Sequence, residues 1–112
     1  MSLARSSSWA RGVYAPLVDG IDALIDAASR AGILAHVTSG VRTHAQQVAL
    51  YRRYLAGINR YPVAVPGTSA HERGLAVDVW AGDSARTQLL GRTWASWGGR
   101  WSPADEVHFE LR

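Results

Sequence analysis

One acidic residue lies where the local sequence is otherwise apolar: Asp78, between two valines in a segment typical of a β-strand. A buried carboxylate is costly unless it pairs with a cation or binds a metal. His71 lies seven residues upstream, and His108 follows much later, with Asp105 three residues before it. Two imidazoles and one carboxylate form a complete protein ligand set for a catalytic zinc ion.

The chemistry that such a set would perform is metal-assisted hydrolysis. Zinc polarises a carbonyl group and lowers the pKa of a coordinated water to about 7. A second carboxylate nearby, here Asp105, could take up a proton and deliver it to a leaving amine. Residue types and spacing alone do not require a metal. Asp78 also fits a buried salt bridge with an arginine, and both histidines fit ordinary surface or core packing.

The composition bounds the remaining possibilities. With 112 residues, 47% of them hydrophobic and 19% charged, we expect one globular domain over residues 1–112, in which residues 1–12 form a loose lead-in. The absence of cysteine excludes a thiol nucleophile, a disulfide scaffold and a cysteine-ligated metal. All twelve basic residues are arginine, which excludes a lysine Schiff base.

Charge and hydropathy also limit the expected partners and location. The net charge is +3, but the arginines are scattered, so we expect no nucleic-acid partner. No apolar run approaches the ~20 residues of a membrane span, so we expect no membrane association. Residues 1–12 lack the apolar run of a secretory signal, and we therefore expect synthesis in the cytoplasm without a signal peptide.

The elements that must position these residues can be placed from periodicity and capping signals. Helices are predicted over 16–31, 43–55 and 83–97, and strands over 33–38, 62–65, 74–80 and 106–112. Val48, Tyr51 and Leu55 are the predicted buried face of the second helix. Element order alone favours a doubly wound parallel sheet. The short strands and the long loop at 57–70 fit a small α+β domain with an antiparallel sheet equally well.

Three sequence blocks resemble one enzyme family. Residues 69–78 (Ser-Ala-His-Glu-Arg-Gly-Leu-Ala-Val-Asp) match the pattern Ser-x-His-x-x-Gly-x-Ala-x-Asp of zinc D-Ala-D-Ala carboxypeptidases and L-alanyl-D-glutamate endopeptidases, which cut peptidoglycan stem peptides. Residues 39–43 (Ser-Gly-Val-Arg-Thr), followed by Gln47, are similar to a second family segment. Residues 105–110 are similar to its closing Glu/Asp-x-x-His segment. The blocks occur in the family's order.

The resemblance implies a site and a fold. It implies one Zn²⁺ per chain, with three protein ligands: His71, Asp78 and His108. It implies Asp105 as general base and acid, Arg42 as a catalytic and substrate-binding residue, and Ser69 and Gln47 as further substrate-binding residues. The implied fold is the small α+β fold shared with lysostaphin and the hedgehog domain. In that fold an antiparallel sheet carries the metal, and about three helices pack on it.

Asp105 occupies a position where the family more commonly has Glu, and in this it resembles phage endolysin endopeptidases. We therefore expect an L-alanyl-D-glutamate-type endopeptidase acting in cell-wall lysis. Glu106 is expected to point away from His108. The alternatives are a D-Ala-D-Ala carboxypeptidase or dipeptidase, and a non-catalytic zinc-containing wall-binding or virion tail module.

We expect peptidoglycan stem peptides as partners and a monomer. The chain would act alone or as part of a phage tail or larger lysin. It would reach the wall by phage-mediated release or as a virion component.

Overall fold

The computed structural model describes residues 7–59 and 61–112. It contains three α-helices: α1 (Ala15–Arg30), α2 (His44–Leu55) and α3 (Ser84–Ser96). It contains three strands: β1 (His36–Ser39), β2 (Ala76–Trp80) and β3 (His108–Glu110). Three short 3-10 turns add local structure: Ser8–Ala10, Ala70–Arg73 and Pro103–Asp105. Pro16 in the first turn of α1 and the capping box of Thr43 and Gln46 at α2 explain where two of the helices begin.

The strands form one antiparallel sheet in the order β1-β2-β3, with β2 in the centre. The register places Asp78 of β2 directly opposite His108 of β3, and Ala76 opposite Glu110. Two residues that are thirty positions apart in the sequence therefore become cross-strand neighbours. The prediction of a small α+β fold, with helices packed on an antiparallel sheet, is confirmed.

The two faces of the sheet have different roles. Val77, Val79 and Phe109 are fully buried in the hydrophobic core, together with Leu17 and Ile21 of α1. Because side chains alternate along a strand, Asp78 and His108 point to the opposite face. The core thus holds the central and last strands from one side and leaves the other side available for polar chemistry.

Two local predictions are wrong. Residues 62–65 form no strand. The predicted buried face of α2 is also wrong, since Leu55 is 67% exposed, whereas the polar Gln47 is completely buried. The last strand, predicted over 106–112, is shorter in the structure: β3 covers only His108–Glu110, and Glu106 lies before it. The physical reason for the α2 error is that this helix covers the polar site and not the apolar core.

The predicted lead-in over 1–12 lies partly outside the described residues, at 1–6. Within the described part, Ser8–Ala10 form a turn in which Ala10 is buried in the core, and Trp9 packs against that core. In residues 7–59 and 61–112, no helix has the length and apolar character needed to cross a bilayer.

Candidate active site

The ten-residue block at 69–78 builds a turn that leads into the central strand. Ser69 caps the 3-10 turn, because its Oγ accepts a hydrogen bond from the backbone N–H of His71 at 3.2 Å. Gly74 ends the turn in the left-handed conformation, with φ +72°, and its Cα lies against the Gly12 carbonyl, where a larger residue would not fit. Ala76, fully buried, then begins β2. The spacing between His71 and Asp78 therefore follows from one turn and half a strand.

The His71 ring is buried and held in one orientation. Its Nδ1 lies 2.9 Å from the Gly40 carbonyl oxygen, and its Nε2 lies 3.0 Å from Oδ1 of Asp78. A carbonyl oxygen can only accept, so Nδ1 carries a proton, and Nε2 is the ring nitrogen that faces the Asp78 carboxylate. This is the arrangement that a metal-binding histidine needs.

The His108 ring is held in the reverse orientation. Its Nε2 lies 3.0 Å from Oε2 of Glu110, and its Nδ1 faces Asp78, 3.8 Å from Oδ1. Glu110 therefore orients the ring through Nε2–H and leaves Nδ1 for a ligand. The two imidazoles meet edge to face, with centroids 5.1 Å apart.

The three side chains fit a single metal ion. His71, Asp78 and His108 each offer one ligand atom, and these atoms all lie within 4.8 Å of one another. Tetrahedral zinc with bonds of about 2.0–2.2 Å requires ligand atoms about 3.3–3.6 Å apart. The distances of 3.0 and 3.8 Å from Asp78 Oδ1 to the two ring nitrogens bracket that requirement. Both rings already have hydrogen-bond partners at the nitrogen that faces away from Asp78.

Arg42 closes the other side of the Asp78 carboxylate. Its Nη2 donates to Asp78 Oδ2 at 2.7 Å, and its Nη1 donates to Gln47 Oε1 at 3.3 Å. Gln47 in turn donates from Nε2 to the Ala64 carbonyl at 2.9 Å. The buried Gln47 thus links Arg42 to the loop after α2. Its contact with the site is the hydrogen bond that it accepts from the Arg42 guanidinium. Both environments predicted for Asp78 occur together, because it pairs with an arginine through one oxygen and faces two imidazoles with the other.

Asp105 lies at the end of the turn before β3 and lines the same cleft as His71, Asp78 and His108. Burial raises the pKa of its carboxyl group above the usual range; His108, His71 and Arg42 oppose the rise, whereas the charge of Asp78 adds to it. This shift moves the pKa of Asp105 towards the range useful for proton transfer.

Glu106 points away from the site, as expected. It is buried, and its carboxylate accepts hydrogen bonds from Tyr61 Oη at 3.0 Å and Ser84 Oγ at 2.5 Å. Its carbonyl oxygen also accepts from Trp101 Nε1 at 2.8 Å. These contacts fix the segment between Asp105 and His108.

Two acidic residues that were not among the predicted site residues support the site: Glu110, described above, and Glu72. Glu72 accepts a hydrogen bond from the Gly67 N–H at 2.8 Å and contacts His44 Nδ1 at 3.2 Å. It therefore ties the turn that carries His71 to the preceding loop and to the start of α2. Alternation along the last strand placed Glu110 beside His108, but no sequence signal reveals the contacts of Glu72.

The groups converge in an open cleft of about 680 Å³. Its lining includes all the predicted site residues except the buried Gln47: Arg42, Ser69, His71, Asp78, Asp105 and His108. A potential metal centre, an adjacent carboxyl group and a fixed guanidinium within one cleft are the parts of a metal-dependent hydrolase. The fold and the site together define a small metallopeptidase. Its candidate metal ligands lie on two strands of the sheet and on the turn that leads into it.

The sequence places the chain more narrowly. Residues 12–112 match the VanY family, described as D-alanyl-D-alanine carboxypeptidase. The chain belongs to this family of peptidases that cleave peptidoglycan peptides, as its motifs predicted. No curated protein sequence matches the chain significantly.

Solved structures agree with the family match. The vancomycin-resistance D,D-pentapeptidase VanY from a VanB-type resistance cassette, solved with Zn(II), aligns with a TM-score of 0.68 and 26% identity, over 88% of this chain and 72% of that chain. The LD-carboxypeptidase LdcB aligns with a TM-score of 0.68 and 27% identity, over 89% and 66%. The L-Ala D-Glu endopeptidase ChiX of Serratia marcescens aligns with a TM-score of 0.63 and 26% identity, over 99% and 89%.

Proposed function

We propose that this chain is a zinc endopeptidase that hydrolyses L-alanyl-D-glutamate-type amide bonds in peptidoglycan stem peptides. The observation that carries the proposal is the convergence of a three-residue ligand set, Asp105 and Arg42 in one open cleft. An arrangement that only held a structural metal would need neither a partly buried carboxyl group nor a guanidinium at its side.

The ligands that we assign to Zn²⁺ are His71 through Nε2, Asp78 through Oδ1 and His108 through Nδ1. The support is the orientation of each ring by Gly40 or Glu110 and the short distances between the three atoms. When bound, zinc supplies a Lewis acid that polarises the amide carbonyl and activates water. One ion per chain is expected.

We assign proton transfer to Asp105. Its carboxylate would accept the proton of the attacking water, and the resulting carboxylic acid would donate that proton to the nitrogen of the leaving amine. Burial supports this role, because a carboxyl group with a raised pKa holds the transferred proton more readily than an exposed one.

We assign to Arg42 the role of binding the carbonyl oxygen of the substrate amide. Asp78 and Gln47 hold its guanidinium in place, which leaves further N–H donors for an oxygen in the cleft. A guanidinium that is already oriented stabilises developing negative charge without reorganisation. Gln47 would act on substrate through Arg42, and Ser69, whose oxygen caps the His71 turn, would act mainly by placing that histidine.

The choice of an endopeptidase has two supports. Asp105 is the residue type that endolysin-like endopeptidases have at this position, and ChiX, an L-Ala D-Glu endopeptidase, aligns over 99% of this chain and 89% of its own. A second candidate function, D-Ala-D-Ala carboxypeptidase, is favoured by the match of residues 12–112 to the VanY family. A non-catalytic wall-binding module is disfavoured by the retained Asp105 and Arg42.

The deciding experiment is mass spectrometry of products from defined stem peptides incubated with the zinc-loaded protein. Release of L-Ala from the rest of the peptide supports the endopeptidase. Release of a terminal D-Ala alone would replace it with the carboxypeptidase. The absence of any cleavage, in a protein shown to hold one zinc ion, would refute both.

The remaining expectations stay part of the proposal. Residues 1–112 would act as one monomeric domain on wall peptides, and the core shared by α1, α3 and the sheet supports a single unit. Delivery by phage release or within a virion rests on the resemblance of Asp105 to the residue that phage endolysin endopeptidases have at this position. Sedimentation analysis of the purified chain would test the monomer.

A further inference from the structure

A second concavity continues from the active-site cleft. Arg73, Arg100 and Glu110 line both the cleft and a neighbouring depression of about 350 Å³. Arg112 joins them in the depression. We call this depression the basic extension, after its three arginines. Because the two concavities share these lining residues, they are direct neighbours on the surface of the protein.

The charges in the basic extension are unbalanced. Within the described residues, no ion pair or side-chain hydrogen bond engages the guanidinium groups of Arg73, Arg100 and Arg112. Glu110 supplies the one side-chain carboxylate that lines this depression among the described residues, and it already binds His108 at 3.0 Å. Three cations without a protein partner therefore surround a space beside the active site, and an anion there would gain from all three.

The backbone fixes where these charges lie. The main chain of Arg100 pairs with Glu110 through two hydrogen bonds, of 2.9 and 3.1 Å, in an antiparallel bridge. Paired residues of antiparallel strands share a face, so Arg100 lies on the face of the sheet that carries His108.

The lining also includes Tyr14, the N-cap residue of α1, and Leu17 in the first turn of that helix, which contains no acidic residue. The positive end of the helix dipole adds to the attraction for anions.

We propose that the basic extension binds the free carboxylate of the substrate's D-glutamate, and so makes the enzyme selective for acidic stem peptides. The proposal rests on the proposed function and names the substrate more narrowly. D-glutamate has two carboxyl groups, and only one can form the onward peptide bond. The other is an anion unless it is amidated. Guanidinium groups bind carboxylates with paired, charge-assisted hydrogen bonds, and Leu75 and Leu111 add apolar surface to the same depression.

The kinetic test uses two stem peptides that differ only in whether this carboxylate is free or amidated. We expect the zinc-loaded enzyme to cleave the free acid with a kcat/KM about tenfold higher, the effect of one charge-assisted contact at a partly exposed site. Combined Arg73→Gln and Arg112→Gln substitution should remove that preference through KM. Combined Arg53→Gln and Arg92→Gln substitution, an equal loss of charge on α2 and α3 outside both concavities, should leave the preference intact. The preference should weaken as salt is raised.

A binding measurement keeps the inference testable if neither peptide is cleaved. Titration of the protein with each peptide, followed by the NMR signals of the arginine Nε–H groups, should show shifts at Arg73, Arg100 and Arg112 with the acid but not with the amide. Equal binding of both peptides, or a preference that survives the double substitution, would overturn the inference while leaving zinc-dependent cleavage standing. Glycerol phosphate tests the phosphate of a wall polymer as the occupant, and tighter binding of it than of the acidic peptide would also overturn the inference.

Discussion

Glu110 is predicted to set the zinc affinity of the site although it is not one of the proposed ligands. Its Oε2 lies 3.0 Å from His108 Nε2, which turns Nδ1 towards Asp78. Loss of such a partner typically weakens metal binding by about 10–100-fold, or about 1.4–2.7 kcal/mol. The side chains of Glu110 and His108 are 21% and 24% exposed, so water can replace part of the lost contact. We therefore expect Glu110→Ala to raise the zinc Kd by about tenfold, the lower end of that range.

Competition titration against a chromogenic chelator measures this change. Glu110→Gln keeps an oxygen acceptor for Nε2–H and should weaken zinc binding less than Glu110→Ala does. Asp26→Asn removes the same charge from an exposed ion pair on α1 and serves as the control, with an unchanged Kd. A Glu110→Ala protein that binds zinc as tightly as the wild type would show that His108 is oriented by other contacts or is not a ligand.

Three further predictions concern catalysis and stability. Asp105→Asn should lower kcat by about 10²–10⁴-fold while zinc content, measured by atomic absorption, stays near one per chain; near-normal turnover would refute the assignment. Since the pKa of Asp105 is raised in the folded protein, ionisation of this carboxyl group destabilises the fold at pH values above that pKa. Below the pKa of Asp105 in the unfolded chain, the group is protonated in both states and has no such effect. Metal-free Asp105→Asn should therefore melt higher than wild type at neutral pH, and the difference should shrink in acid; a constant difference would contradict this. Gly91→Ala should destabilise by about 1–3 kcal/mol in denaturant titration, because a Cβ there would overlap the Trp101 indole; unchanged stability would show that the indole can move.

Local sequence signals predicted most of the elements. The capping box of Thr43 and Gln46 is present as predicted, and Asp83 caps α3 with its side chain. Asp78 drew attention because it broke an apolar run, and the structure shows that its carboxylate has partners on both oxygens. These features depend on neighbours a few residues apart, so one sequence contains enough information to predict them.

The parts that failed depend on contacts between distant segments. Periodicity assigned Leu55 to the buried face of α2, but that helix buries Gln47 instead, because its partners are Arg42 and the Ala64 carbonyl. The pairing of Asp78 with His108 follows from strand register. Register cannot be deduced from two short segments whose loop and turn geometry is unknown, and the family resemblance, not the strand pattern, brought these residues together.

The opposition of Asp78 and His108 across two strands has a consequence for folding. A slip of β3 by a single residue would turn His108 and Glu110 towards the core and Phe109 towards the site. Only a chain whose closing strand has docked in the correct alignment can supply all three donor atoms to one ion. Zinc binding would thus stabilise the correctly aligned sheet over misaligned ones, although the strand that must be aligned is only three residues long.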